Sequence, residues 1–409
     1  MFTIRRYLRV IDDRSEGPIV QRVGFGRLCG ECERIDAERR QEQARGDKEL
    51  ALHESPQHVF EPVQKISRQR PVRCRPQGTP FFRIPQRFTT GNLSVHTRDK
   101  GEHRMSMDKM HGLVAPILTP FNNDSSIAMD LFAAHAGHML DQGCVAIAPF
   151  GTTGEALSVG IDERIEAIRG LIDNGIDPAA MIPGTGLSNI ADTARLSRAC
   201  LDMGCAAVMT LPPFYYKAVS EDALYRYFQQ LLATIGTDAR IVLYHIPPIA
   251  IVGIPPSLTA RLRADFPEQI VGIKDSSGDW ENTQQLLDID GLPVFPGSEL
   301  PLLDALALGA PGCVSATANI NASAIARIIQ LYAQGDKDGA RALHEPATNL
   351  RLVIQESGPI PAQKRLLAIA SGDERWGNVR PPLTAMLEDA GRELAGTLKR
   401  DFAFEVSVR

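Results

Sequence analysis

One lysine in this chain stands where a lysine is costly. Val271-Gly272-Ile273-Lys274-Asp275-Ser276-Ser277-Gly278 reads as a short apolar strand closing in a polar turn. An ammonium inside such a run must be paired or neutralised, because burying it alone is strongly unfavourable. Giving up the proton removes that cost, and a neutral amine attacks carbonyl carbons. Lys274 is therefore a candidate for Schiff-base chemistry; the alternative is a lysine at the strand mouth paired with Asp275. Two further segments carry usable groups. Gly151-Thr152-Thr153-Gly154-Glu155 offers two adjacent hydroxyls and glycines that let a backbone approach an anion. Its structural alternative is a strand-to-helix turn with threonine as N-cap. Tyr244-His245-Ile246-Pro247-Pro248 closes another strand-like run. Side chains alternate along a strand, so Tyr244 and His245 face opposite sides. Tyr244 turned inward can carry protons beside an imine, and His245 turned outward reads as structural.

These groups need a scaffold that brings strand ends together. From about Gly112 onward, strand-like runs recur at 113–118, 145–150, 181–184, 206–211, 240–246, 270–274, 294–296 and 313–316. Helical patterns separate them, among them 188–203 and 220–232, with Ser188 and Ser220 as expected N-caps. Pro255-Pro256-Ser257 opens another helix with prolines in its first turn. The spacing suits right-handed βαβ crossovers. Eight such units predict an α/β fold, a (β/α)₈ barrel, whose chemistry gathers at the C-terminal ends of the strands. A doubly wound sheet is the rival, but no glycine-rich dinucleotide turn follows an early strand. The expected organisation is a barrel over 105–335 and a helical region over 336–409 that packs on it.

Taken together, Gly151–Glu155, Tyr244-His245-Ile246-Pro247, Gly272-Ile273-Lys274-Asp275 and Gly312-Cys313-Val314-Ser315-Ala316-Thr317-Ala318-Asn319 resemble the dihydrodipicolinate synthase / N-acetylneuraminate lyase family of pyruvate-dependent class I aldolases. The resemblance covers about residues 110–400. It implies that Lys274 forms an imine with pyruvate or another 2-oxo acid. It implies that Thr152 and Thr153, with Gly154 beside them, hold the carboxylate and pass protons, and that Tyr244 donates and accepts protons. Val314 matches the position whose backbone contacts pyruvate. Tyr216, or Tyr215 if the register slips by one, resembles the tyrosine lent to a neighbouring active site. The resemblance implies a homo-oligomer, dimer or tetramer, and neither metal nor other cofactor.

The match departs at one informative place. In true dihydrodipicolinate synthases an arginine follows the catalytic tyrosine by five residues and grips the aspartate semialdehyde carboxylate; here that position is Ile249. An aliphatic side chain cannot replace a bidentate clamp. Asp275, Ser276, Ser298 and Glu299 occupy places where the family's sugar-acid lyases hold hydroxyls, with helix capping as the alternative. The expectation is an aldolase or lyase acting on a hydroxylated or less charged partner. Dihydrodipicolinate synthesis is the disfavoured alternative, and a non-catalytic 2-oxo-acid sensor is the reading from a different class.

The formal charge of −5 is unevenly spread: residues 1–104 carry +7, with 18 Arg against 3 Lys, and residues 105–409 carry −12. The first 104 residues show little periodicity and read as a disordered or spurious extension, with one possible helix near 34–51. A nucleic-acid role for this basic segment is a distant alternative. Seven irregularly spaced cysteines suggest a reducing compartment, the cytoplasm, and Cys29-x-x-Cys32 lacks the second pair that a zinc site needs. No apolar stretch is long enough to span a membrane.

Overall fold

The computed structural model describes residues 110–408. The expectations for residues 1–104, the 34–51 helix and the Cys29/Cys32 pair lie outside the described residues. Within them the chain folds as a (β/α)₈ barrel followed by extra helices. The strands are β1 (Gly112–Ala115), β2 (Cys144–Ile147), β3 (Val208–Thr210), β4 (Ile241–His245), β5 (Ile270–Asp275), β6 (Val294–Pro296) and β7 (Gly312–Val314), and every pairing between them is parallel. One sheet runs β2-β1-β7 and the other β3-β4-β5-β6.

The expected strand at 181–184 joins the two sheets, but through bridges instead of a ladder. Met181 pairs with Ile147 and Gly184 with Met209. Pro183 explains the irregularity: it has no N–H to donate, so it contributes only its carbonyl, which accepts from Met209. Strand β6 packs beside β7 and completes the ring.

Because strands of such a barrel are covered on both faces, they read as apolar runs. Inward-facing Val114, Ala146, Ile182, Met209, Val242, Phe295 and Val314 fill the barrel. Outward-facing Leu113, Ile147, Val208, Leu243, Ile273 and Cys313 pack beneath the helices. Around the barrel lie α1 (Met129–Asp141), α2 (Ile161–Asp173), α3 (Ile190–Asp202), α4 (Glu221–Ile235), the short α5 (Pro247–Ala250), α6 (Pro256–Asp265), α7 (Trp280–Leu287), α8 (Leu302–Ala307) and α9 (Ala318–Ala333). Ser220 caps α4 as expected, its hydroxyl accepting from the Ala223 amide. The cap of α3 is Asn189, one residue past the expected Ser188; the Asn189 side-chain oxygen accepts from the Asp192 amide at 2.8 Å.

Three helices follow: α10 (Lys337–Glu356), α11 (Pro359–Ser371) and α12 (Glu388–Phe402). In α10 the buried positions Ala340, Ala347, Leu350 and Ile354 recur at helical spacing. Leu350, Ile354, Leu366, Leu367, Trp376 and Leu394 form a satellite core with Leu118 and Ile320. That core docks the helical region over the ends of β1 and β7. No helix among the described residues is long and apolar enough to cross a membrane.

Candidate active site

Parallel register decides which groups meet. Tyr244 of β4 stands opposite Lys274 of β5, so phenol and amine share one level of the barrel. The Lys274 Nζ lies 4.3 Å from the centre of the Tyr244 ring. The Tyr244 hydroxyl is 3.2 Å from Thr152 Oγ1, at the end of β2. Lys274 is only 5 % exposed, and among the described residues its amine has no carboxylate partner. The alternative of a Lys274–Asp275 pair is excluded by alternation along the strand. Asp275 faces the other way, where it accepts from the Ser277 amide at 2.9 Å, Thr283 Oγ1 at 2.6 Å and Asn282 Nδ2 at 3.1 Å. These bonds brace the strand end that carries the lysine.

His245 also faces outward, as expected. Its Nδ1 accepts from the Ile254 amide at 2.8 Å, and burial holds the imidazole below its usual titration range. It fixes the loop after β4, not the chemistry.

The turn at 151–154 is bracketed by two left-handed residues, Phe150 (φ 58°) and Glu155 (φ 55°). Non-glycine residues seldom adopt that conformation, and clusters of them accompany functional turns. Thr153 is not a helix cap. The chain instead continues into a three-residue 3₁₀ turn, Ala156–Ser158, and the Glu155 and Ala156 amides are consumed by the Thr152 and Gly151 carbonyls. Gly154 is tightly packed on its Cβ side: a Cβ there would lie 2.9 Å from the Ile117 carbonyl and 3.0 Å from the Phe150 amide. Its carbonyl accepts from Thr119 Oγ1 at 2.8 Å.

Lys274, Tyr244, Thr152, Thr153 and Ser276 line one cavity of about 770 Å³ at the C-terminal ends of the strands, together with Ile249. Gly297 makes room for Ser276; a Cβ at 297 would sit 2.0 Å from the Ser276 hydroxyl. Ile249 is half exposed on the wall, so an apolar side chain does occupy the place where the resemblance expects an arginine.

Glu299 corrects an expectation. It neither lines the cavity nor caps a helix; its carboxylate is fully buried and accepts from the hydroxyls of Ser315 and Thr317. Arg351 donates to it at 3.4 Å. Val314 points into the barrel core, below the cavity. Tyr216 stands apart: it and Tyr215 are both about three-quarters exposed on the loop after β3, packed edge to face with ring centres 5.7 Å apart.

Three features escaped the sequence reading. Asn319 is a buried hub: its Oδ1 accepts from the Leu118 amide at 2.9 Å and meets His135 at 2.8 Å, and its Nδ2 donates to the Pro116 carbonyl at 3.0 Å. Burial pushes His135 down to about 4, against the pull of that contact. Lys364 of α11 is fully buried and bonded to Glu155 of the catalytic turn. Arg351 and Gln355 of α10 reach the cavity wall. Each depends on contacts between segments far apart in sequence.

The profile of the dihydrodipicolinate synthetase family matches residues 109–401. The chain belongs to that family. An uncharacterised DapA-like lyase of Chloroflexus aurantiacus is 34% identical over 231 residues, covering 56% of this chain and 77% of the relative. The 4-hydroxy-tetrahydrodipicolinate synthase of Thermus thermophilus is 31% identical over 287 residues, 69% of this chain and 95% of the synthase. The crystal structure of a dihydrodipicolinate synthase from Agrobacterium tumefaciens superposes with a TM-score of 0.64 and 34% identity, over 71% of this chain and 98% of that one. This dihydrodipicolinate synthetase family member is thus a lyase, and its cavity, built on the ends of β2, β4 and β5, is its candidate active site.

Proposed function

We propose that this enzyme is a Schiff-base class I aldolase that makes or breaks a carbon–carbon bond through a 2-oxo acid, pyruvate being the simplest. The observation that carries the reading is the Lys274 amine, buried without a carboxylate and set against Tyr244, whose hydroxyl meets Thr152. Attack of Nζ on the ketone gives a carbinolamine. Loss of water gives an iminium, which withdraws electrons from the adjacent methyl and allows an enamine to form. The enamine carbon then attacks an aldehyde, or the reverse sequence cleaves a 4-hydroxy-2-oxo acid.

Each step moves a proton, and the Tyr244–Thr152 hydroxyl pair, 3.2 Å apart, would carry it. Thr153 and the turn's backbone would hold the carboxylate. Ser276 would bond a substrate hydroxyl, and the Val314 backbone would border the pyruvyl unit. Tyr216, exposed in this chain, would serve a neighbouring subunit's site in a dimer or tetramer.

A second reading, condensation of pyruvate with aspartate semialdehyde, is favoured by the kinship with 4-hydroxy-tetrahydrodipicolinate synthases and opposed by Ile249 on the cavity wall. A coupled assay with both substrates separates the two: turnover supports the synthase, and its absence leaves the broader aldolase. For the main reading, the enzyme is incubated with pyruvate and borohydride, and its peptides are mapped. A reduced pyruvyl adduct on Lys274 supports the imine. Well-folded protein that binds pyruvate without an adduct supports a sensor instead.

A further inference from the structure

The cavity holds a second cation that the imine chemistry does not use. Arg351 of α10 lies on the wall beside Ser298, Leu300 and Gln355. A guanidinium carries five N–H donors in a planar fork. Arg351 uses one, a donation to Glu299 at 3.4 Å, near the limit of a hydrogen bond. Its Nε is buried and has no partner. Among the described residues, five buried side-chain nitrogen or oxygen atoms lack a partner, and of these only Arg351 belongs to the cavity wall. Glu299 has little left to give, since Ser315 and Thr317 already hold its two oxygens. The fork is thus anchored by its buried stem and loosely tied at its head. The remaining donors of this cavity-lining side chain, which is 16% exposed, are free to bond a ligand that enters.

We infer that Arg351 receives a carboxylate carried by the partner that the enzyme joins to, or splits from, the 2-oxo acid. The inference rests on the imine reading of Lys274. It replaces the expectation of a less charged partner: Ile249 removes a clamp from the loop after β4, and α10 supplies one from another wall. Position separates this carboxylate from that of the 2-oxo acid itself. Arg351 reaches Glu299 just past β6, three positions around the ring from β2, which carries Thr152 and Thr153. The planar fork matches a carboxylate edge-on. Asp279 and Asp304, which also line the cavity, disfavour a dianionic group.

The test uses the full chain, pyruvate and two four-carbon aldehydes, succinic semialdehyde and butanal, which differ by a terminal carboxylate. The wild type is expected to favour the acid by roughly ten- to hundredfold in kcat/KM, the usual worth of a charge-assisted hydrogen bond. Arg351→Met should erase that preference by raising KM for succinic semialdehyde. Butanal turnover, and borohydride trapping of pyruvate on Lys274, should stay within about twofold. Arg351→Lys keeps a charge opposite Glu299 and should recover part of the preference. If Arg351→Met fails to fold, the Arg351→Met/Glu299→Gln pair removes both charges and asks the same question. Equal use of both aldehydes, use of neither, or a preference that survives Arg351→Met overturns the inference, while trapping leaves the imine reading standing. No trapping in the wild type overturns the imine reading, and the role of Arg351 with it.

Discussion

Lys274 and Lys364 are both removed from water, yet the chain surrounds them in opposite ways. Lys274 ends a barrel strand with an aromatic ring against its amine, no carboxylate paired with it among the described residues, and an open cavity before it. Lys364 lies in the seam between α11 and the catalytic turn, bonded to Glu155 and, at 2.6 Å, to the Asn378 carbonyl, with the Phe121 ring 4.4 Å away. Burial pushes Lys364 down to about 8, while Glu155 pulls it back up. A lysine meant to hold a structure together is given a counter-charge. On the reading proposed above, Lys274 lacks one because an ion pair would keep its amine protonated and its lone pair occupied. Partner set, not burial, distinguishes the two.

Exchanging what each lysine does should produce different failures. Lys274→Ala is expected to remove adduct formation and lower turnover by roughly 10⁴-fold or more, the scale seen when a covalent nucleophile is lost. Its melting temperature should move by no more than a few degrees, and a large fall would mean that Lys274 is structural after all. Lys364→Met should do the reverse. It strands the Glu155 carboxylate and should cost about 3–5 kcal/mol in denaturant unfolding. Adding Glu155→Gln should restore most of that loss; if it does not, the pair is not what stabilises the seam.

Tyr244→Phe keeps the ring over Lys274 and deletes only the hydroxyl that meets Thr152. About 10²-fold should be lost from kcat, with pyruvate trapping retained. Equal loss in both assays would place Tyr244 in binding the ketone and not in moving protons.

The smallest effect is one of pH. The folded-state pKa of Lys364, about 8, lies below its unfolded value of 10.5. Between those values the unfolded chain binds the extra proton, so stability rises with pH across that window. Below 8 both states are protonated and the full penalty of burial is present; above 10.5 both are neutral. The stability difference between wild type and Lys364→Met should therefore shift in favour of the wild type from pH 8 to 10.5, by about 3 kcal/mol. A flat difference would show that Lys364 keeps its ordinary affinity for the proton.

The same contrast explains what the sequence made legible. Lys274, Tyr244, Thr152 and Thr153 could be placed because each closes a strand-like run, and a barrel gathers strand ends by construction. The outward turn of His245 follows from an equally local cue, whereas Tyr216 was singled out only by the resemblance. The strand at 181–184 was legible as a place in the ring but not as two bridges, since a single proline changes hydrogen bonding without changing position. Glu299 and Arg351 were not legible as a pair. Helical periodicity says which face of α10 is apolar, but not which wall Arg351 reaches. Lys364 gave no signal of its partner, because Glu155 lies 209 residues earlier.

That separation also has a meaning in time. Lys274, Tyr244, Thr152 and Thr153 are all synthesised before α9, but Glu155 is gripped by the Lys364 amine and by the Arg380 amide, which donates to it at 2.9 Å. Arg380 also donates to the Ser158 carbonyl at 2.9 Å and pairs with Glu163. On the ribosome, Lys274 therefore emerges long before the clasp that holds the turn beside it. A chain stopped at the end of the barrel would carry Lys274, Tyr244, Thr152 and Thr153 but lack the side of the cavity that Arg351, Gln355, Pro359 and Ile360 supply.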